Sequence, residues 1–257
     1  MKRFIPPDGT SPRMRMRSPL EPFLVIKMIP TEIPPNTVML TGIGYDSNIY
    51  LFRDGNEGLI VDTGTGVYWH RYFEILEREN YLEGLEKVTI LNTHEHFDHV
   101  GGNKRFKEFL EKMGVSVIFA SHRIAADVLE KGDDYVILSY AYGRRFEPQK
   151  VELKLEDGDK LQIGRKRLKV IHTPGHTAGS ICLYDPEERI LFTGDTVFNR
   201  TVGRTDLPTG NFEELINSIN LLSTFEVDVA LSGHGKVIMG WRENLEAIKK
   251  VLEGALK

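Results

Sequence analysis

Apolar positions along this chain switch repeatedly between a two-residue and a three-to-four-residue period, which predicts strands and helices in alternation. Short β-favouring runs occupy residues 23–29, 38–40, 47–52 and 58–61, with Asp54-Gly55-Asn56 predicting a hairpin turn between the last two. Trp69, Tyr72, Phe73 and Leu76 then make a helical stripe, and residues 88–91 read as a buried strand. A helix carrying Phe106, Phe109, Leu110 and Met113 on one face ends at Gly114. A strand at 115–120 and a helix at 122–131 complete the first half. In the second half, residues 168–171 read as a strand, and residues 180–184 and 190–192 as a hairpin around Asp185-Pro186-Glu187-Glu188. Phe212, Leu215, Ile216, Ile219 and Leu222 mark an amphipathic helix, residues 227–231 a last strand, and Leu245, Ile248, Val251 and Leu252 a closing helix. The pattern predicts a mixed α/β (α+β) fold. No linker divides residues 23–257, which read as a single domain. Residues 1–22 read as a solvated basic arm, because Lys2, Arg3, Arg13, Arg15 and Arg17 are interleaved with Pro6, Pro7, Pro12 and Pro19.

Polar residues that break this pattern gather just past the strand ends. His94-Glu95-His96-Phe97-Asp98-His99 follows the strand at 88–91 and runs into Gly101-Gly102. Three imidazoles and a carboxylate in six positions meet no packing need, whereas zinc and its neighbours prefer this donor set. His176 follows the strand at 168–171, Asp195 the strand at 190–192, and His234 the strand at 227–231. Loops at the carboxyl ends of strands are where α/β folds carry function. The seven side chains suffice for two adjacent metal ions, and so point to catalysis by metal-activated water. His70, His122 and His172 fall outside the set. Of these, His172 is the one placed to orient a ligand by hydrogen bond.

Composition narrows the picture. With 37 acidic against 33 basic residues, the net charge of −4 carries no electrostatic footprint for nucleic acid. No apolar stretch is long enough to span a membrane. The single Cys182 sits in an apolar run and reads as a packed residue rather than a nucleophile, with a reducing cytoplasm as the expected compartment. A small-molecule substrate is the expected partner.

The motifs Thr93-His94-x-His96-x-Asp98-His99, Pro174-Gly175-His176-Thr177, Gly194-Asp195-Thr196 and Gly233-His234-Gly235, in this order, make the chain resemble the metallo-β-lactamase superfamily. The resemblance runs from about residue 23 onward and implies a four-layer αβ/βα sandwich of two similar halves. It also implies that His94, His96 and His176 hold one metal and that Asp98, His99 and His234 hold a second, with Asp195 bridging both. The segment Val202-Gly203-Arg204-Thr205-Asp206 is similar to that of short glyoxalase-II-like hydrolases and of persulfide dioxygenases. About two dozen residues follow His234, too few for the glutathione-gripping helical domain of full-length glyoxalase II enzymes.

The expected activity is hydrolysis of a thioester, lactone or similar acyl bond by a hydroxide bridging two Zn(2+). Asp98 would orient that hydroxide and relay its proton, and Asp195 would bridge the ions. The alternative is a dioxygenase with one Fe(2+) held by His94, His176 and Asp195, a two-histidine, one-carboxylate set suited to non-haem iron. Arg204, Tyr140 and Tyr142 are candidate substrate contacts. An internal Arg204–Asp206 pair is the structural alternative for the arginine, and aromatic packing is the alternative for the tyrosines. An RNA-processing role is disfavoured by the acidic balance.

Overall fold

The computed structural model describes residues 29–255. The expected arm at 1–22 and residues 23–28 of the first expected strand lie outside the described residues, and Ile29 is not in a strand. The first half contains β1 (Thr31–Ile33), β2 (Thr37–Leu40), β3 (Ile49–Asp54), β4 (Glu57–Val61), α1 (Trp69–Arg78), β5 (Lys87–Leu91), α2 (Phe97–Val100), α3 (Asn103–Lys112), β6 (Ser116–His122) and α4 (Arg123–Lys131). A short α5 (Asp134–Ile137), a 3₁₀ turn (Ser139–Tyr142) and β7 (Leu153–Leu155) follow. The second half contains β8 (Lys160–Ile163), β9 (Lys166–His172), β10 (Ile181–Asp185), β11 (Ile190–Gly194), β12 (Val197–Phe198), β13 (Thr201–Val202), α6 (Phe212–Leu222), β14 (Val229–Ser232) and α7 (Trp241–Ala255).

The seven strands β1 to β7 form one sheet in chain order, antiparallel from β1 to β4 and parallel from β4 to β7. The second sheet runs β14-β11-β10-β9-β8, with only β14 and β11 parallel. Parallel pairs need a crossover, and helices supply it in both halves.

Alternation along the strands sorts the core into three apolar layers. In β3, Ile49 and Leu51 face a cluster with Phe73, Phe106 and Leu129, beneath α1, α3 and α4. Tyr50 and Phe52 face the other way and meet Leu168, Val170, Leu183 and Phe192 of the second sheet. On the far side of that sheet, Ile171, Cys182 and Leu191 pack against Leu215, Leu222, Trp241 and Ile248 of α6 and α7. Helices, sheet, sheet, helices: this is the four-layer αβ/βα sandwich. Cys182 is fully buried, and burial pushes its thiol up to about 11, in keeping with a packed residue.

The Asp54-Gly55-Asn56 turn is a tight hairpin in which Asp54 faces Glu57 across the strands. The elements missing from the hydrophobic pattern are β1, β7, β8, β12, β13, the short helices α2 and α5 and the 3₁₀ turn. All are two to four residues long, below the length at which periodicity is readable. The helix expected at 122–131 begins one residue later, because His122 ends β6 and caps α4 by accepting from the Ile124 amide.

Candidate metal centre

Five strand ends deliver the site. Asp62 follows β4 and His94 to His99 follow β5, while His176, Asp195 and His234 follow β9, β11 and β14 respectively. The structure brings all seven candidate donors into one place. Ligand atoms of His94, His96 and His176 lie within 4.8 Å of one another, as do those of His94, His99 and Asp195, and those of Asp98, His99 and His234. Nε2 of His176 is 2.9 Å from Nδ1 of His96, which is 3.2 Å from Nε2 of His94. On the other side, Nε2 of His234 is 3.2 Å from Nε2 of His99 and 3.3 Å from Oδ2 of Asp98. Asp195 stands between the two groups, its Oδ1 3.3 Å from His99 and its Oδ2 3.6 Å from His176 and 3.8 Å from His234.

Outer hydrogen bonds decide which ring nitrogens point inward with a free lone pair. The Thr93 hydroxyl donates to Asp62 at 2.8 Å, so its oxygen accepts from Nδ1–H of His94 at 3.1 Å. His176 donates from Nδ1 to the Arg204 carbonyl at 2.7 Å. His99 donates from Nδ1 to Oδ2 of Asp62 at 2.8 Å. With the outer nitrogens acting as donors, neutral His94 and His176 turn bare Nε2 lone pairs on one another and on His96. Lone pairs facing at this range repel unless a cation lies between them. Separations near 3 Å are about the edge of a tetrahedron whose ligands bind at roughly 2.0–2.1 Å. Asp195 Oδ1, which faces His99, is moreover buried without any hydrogen-bond partner. The residues present therefore fit a divalent transition metal.

Electrostatics agree. Burial, reinforced by neighbouring imidazoles, holds His94 well below the usual histidine range and His96 down at about 3. His99 moves the other way: burial opposes its charge, but Asp195 and Asp62 flank it and raise it well above the usual value. Burial would raise Asp195, but the charge of His99 outweighs that and carries the carboxyl well below the carboxylate range. A divalent cation bound there would supply positive charge facing these carboxylates.

The other candidates fall differently. Tyr142 is half-buried, with its ring 5.2 Å from Phe97 and 6.2 Å from Tyr45. Burial and the facing Asp98 carboxylate raise its hydroxyl pKa, so it lies beside the cluster. Tyr140 is exposed and stacks on Tyr135 instead. The Arg204 side chain is exposed and forms a two-point pair with Asp206 at 2.6 and 2.7 Å, while its backbone carbonyl holds His176. His172 does not touch a donor imidazole. It donates to the Ala178 carbonyl at 2.9 Å and stacks on His122.

Two residues escaped the sequence reading. Asp62, at φ +59°, also accepts from the Thr93 amide at 2.8 Å and so braces His94 and His99 together. Its signal was its position directly after a buried strand, the same place the donors occupy. Glu95 appeared only as a spacer between two histidines, yet it is fully buried.

A sandwich with donors converging at the strand ends of both halves defines a metallo-hydrolase type of architecture. The metallo-beta-lactamase superfamily matches residues 42–234, and the chain belongs to it. Among its relatives is a probable metallo-hydrolase of Methanocaldococcus jannaschii, 36% identical over 203 residues, 77% of this chain and 92% of that one. The acyl-coenzyme A thioesterase MBLAC2 of Homo sapiens is 30% identical over 218 residues, 74% of each chain. The solved structure of TTHA1623 in a di-iron-bound form superimposes with a TM-score of 0.64 at 28% identity, covering 78% of this chain and 93% of that one.

Proposed function

We propose that this protein is a metal-dependent hydrolase of small acyl substrates, with a thioester as the leading bond type and His94, His96, Asp98, His99, His176, Asp195 and His234 holding two divalent cations. The observation that carries this reading is the position of Asp195 between the two groups of donors, its Oδ2 3.6 Å from His176 and 3.8 Å from His234 and its Oδ1 3.3 Å from His99. The relation to a thioesterase supports the bond type. The di-iron neighbour supports a pair of transition metals, with iron as well as zinc admissible at such a donor set. Divalent cations bound there would acidify water and polarise an acyl carbonyl.

The chain's own groups do the rest. Asp98 and His234 are the donors left partly open to solvent, with side chains 20% and 35% exposed. Substrate therefore approaches from their side. The Asp98 carboxylate is placed to orient the attacking water and to carry its proton to the departing thiolate, yielding a carboxylic acid and a thiol. Burial would raise Asp98, but its hydrogen bond with His234 prevails and lowers it, which keeps the group an acceptor at neutral pH. Tyr142 borders the same opening.

The test is turnover of an acyl thioester panel by metal-reconstituted protein, with metal content measured on the same samples. His96→Ala and Asp195→Ala should lose both metal and turnover. Asp98→Asn should lower kcat by about 10²–10⁴-fold. Wild-type turnover in either ligand variant would overturn the reading. Oxygen consumption with a persulfide, by protein holding one iron per chain, would replace it with the dioxygenase.

A further inference from the structure

The carboxylate of Glu95 is the largest unexplained group near the site. It lies between two metal-type histidines in sequence, is 0% exposed, and leaves Oε1 without any hydrogen-bond partner. A buried carboxyl with one acceptor unused costs stability, and an apolar side chain would fill the space more favourably. Its partners account for its presence. Oε2 accepts from the Thr177 hydroxyl at 2.9 Å, one residue past His176. Thr177 is itself tied to Ser180, through its hydroxyl at 2.9 Å and its amide at 3.1 Å. The Thr209 hydroxyl also faces Glu95, and it accepts from the Ala178 amide at 3.2 Å. The segment leading to Thr209 carries the Arg204 carbonyl that orients the His176 ring.

Glu95 thus joins the loop bearing His94 and His96 to both segments that bracket His176. The loop has closed around it. A Cβ on Gly179 would stand 2.8 Å from Glu95 Oε2 and 2.7 Å from the Ala125 amide nitrogen, so only glycine admits the carboxyl here. His94 and His96 come from the first half of the chain and His176 from the second, so their mutual geometry depends on ties of this kind. Groups that orient ligands typically alter metal affinity by about 10–100-fold when removed.

We infer that Glu95 is a positioning residue that, through Thr177, sets His176 against His94 and His96 and so determines metal affinity at the three-histidine group. This rests on the reading of those histidines as ligands. The test is a zinc titration of metal-free full-length protein against a chromophoric chelator. Glu95→Ala and Thr177→Val should each weaken the tighter zinc site by about 10–100-fold, and the double variant should be no weaker than Glu95→Ala. Glu95→Gln and Thr177→Ser, which keep the acceptor and the hydroxyl, should stay within a few-fold of wild type. Metal-free Thr177→Val should melt below wild type, since a buried carboxyl loses its donor, but its weaker zinc binding should persist at temperatures where it is fully folded, whereas a purely structural role would leave the affinity of the folded protein unchanged. Wild-type affinity in Thr177→Val, or additive losses in the double variant, would overturn the proposal even if Glu95→Ala failed to fold. His96→Ala is the control: if it too binds zinc like wild type, the ligand assignment itself has failed rather than the role of Glu95.

Discussion

At the scale of single residues, the site depends on backbone approach as much as on donors. A Cβ on Gly233 would fall on Oδ1 of Asp195 and stand 2.7 Å from Cε1 of His99. Gly233→Ala should therefore displace Asp195 or His99 while leaving the distant core intact. Elemental analysis should find one metal per chain or fewer, in a protein whose far-ultraviolet dichroism matches wild type. The donor side chains were readable in the sequence because no packing role explains so many imidazoles beside glycine. Asp62 and Glu95 were not, because a single carboxylate after a strand or between histidines looks like an ordinary turn residue. Only its partners, Thr93 and His99 for Asp62 and Thr177 for Glu95, reveal the work it does.

At the scale of elements, α6 stands behind His176. Its cap residue Asn211 accepts from the amides of Glu213 and Glu214 at 3.0 and 3.2 Å, and the Asn211 amide donates to the Gly175 carbonyl at 2.8 Å. Farther along, Ser218 donates to the Pro174 carbonyl at 2.7 Å. Asn211→Ala removes the side-chain cap but keeps the backbone tie. It should cost about 1 kcal/mol and lower Tm by roughly 2–4 °C in a calorimetric scan. The longer helices and strands were legible because an apolar stripe of three or more residues sets a period, whereas the four-residue α2 and α5 were not. Nor were the two-to-four-residue strands. Leu153-Lys154-Leu155 becomes β7 only because β6 offers its edge.

At the scale of the whole molecule, contacts between the halves hold the strand ends together. Tyr50 donates to the Ser232 carbonyl at 2.6 Å, and the Asn48 side chain to the carbonyls of Ser232 and Gly235 at 3.0 Å, pinning the His234 loop to the first sheet. His122, at the end of β6, stacks on His172 of β9 with centroids 4.0 Å apart. Burial and the facing His172 hold His122 down at about 4, against the pull of Glu156 and Asp157 and with a small push from Arg123. The unfolded chain binds a proton at His122 near pH 6.5 and the folded chain only near 4. Its contribution to stability is thus full above about 6.5, falls as the pH drops toward 4, and is constant below that. Urea midpoints measured stepwise across this window should fall less steeply in His122→Asn, which keeps an acceptor at the cap. The sequence alone determined the donor types, the order of the longer strands and helices, and the placement of each donor just past a strand, since these follow from local periodicity and side-chain chemistry. Tertiary structure decided which of the sites became neighbours. Residues 62, 94–99, 176, 195 and 234 meet only because two sheets pack face to face through Tyr50, Leu91 and Phe192, and that convergence depends on contacts more than a hundred residues apart, beyond the reach of any local pattern.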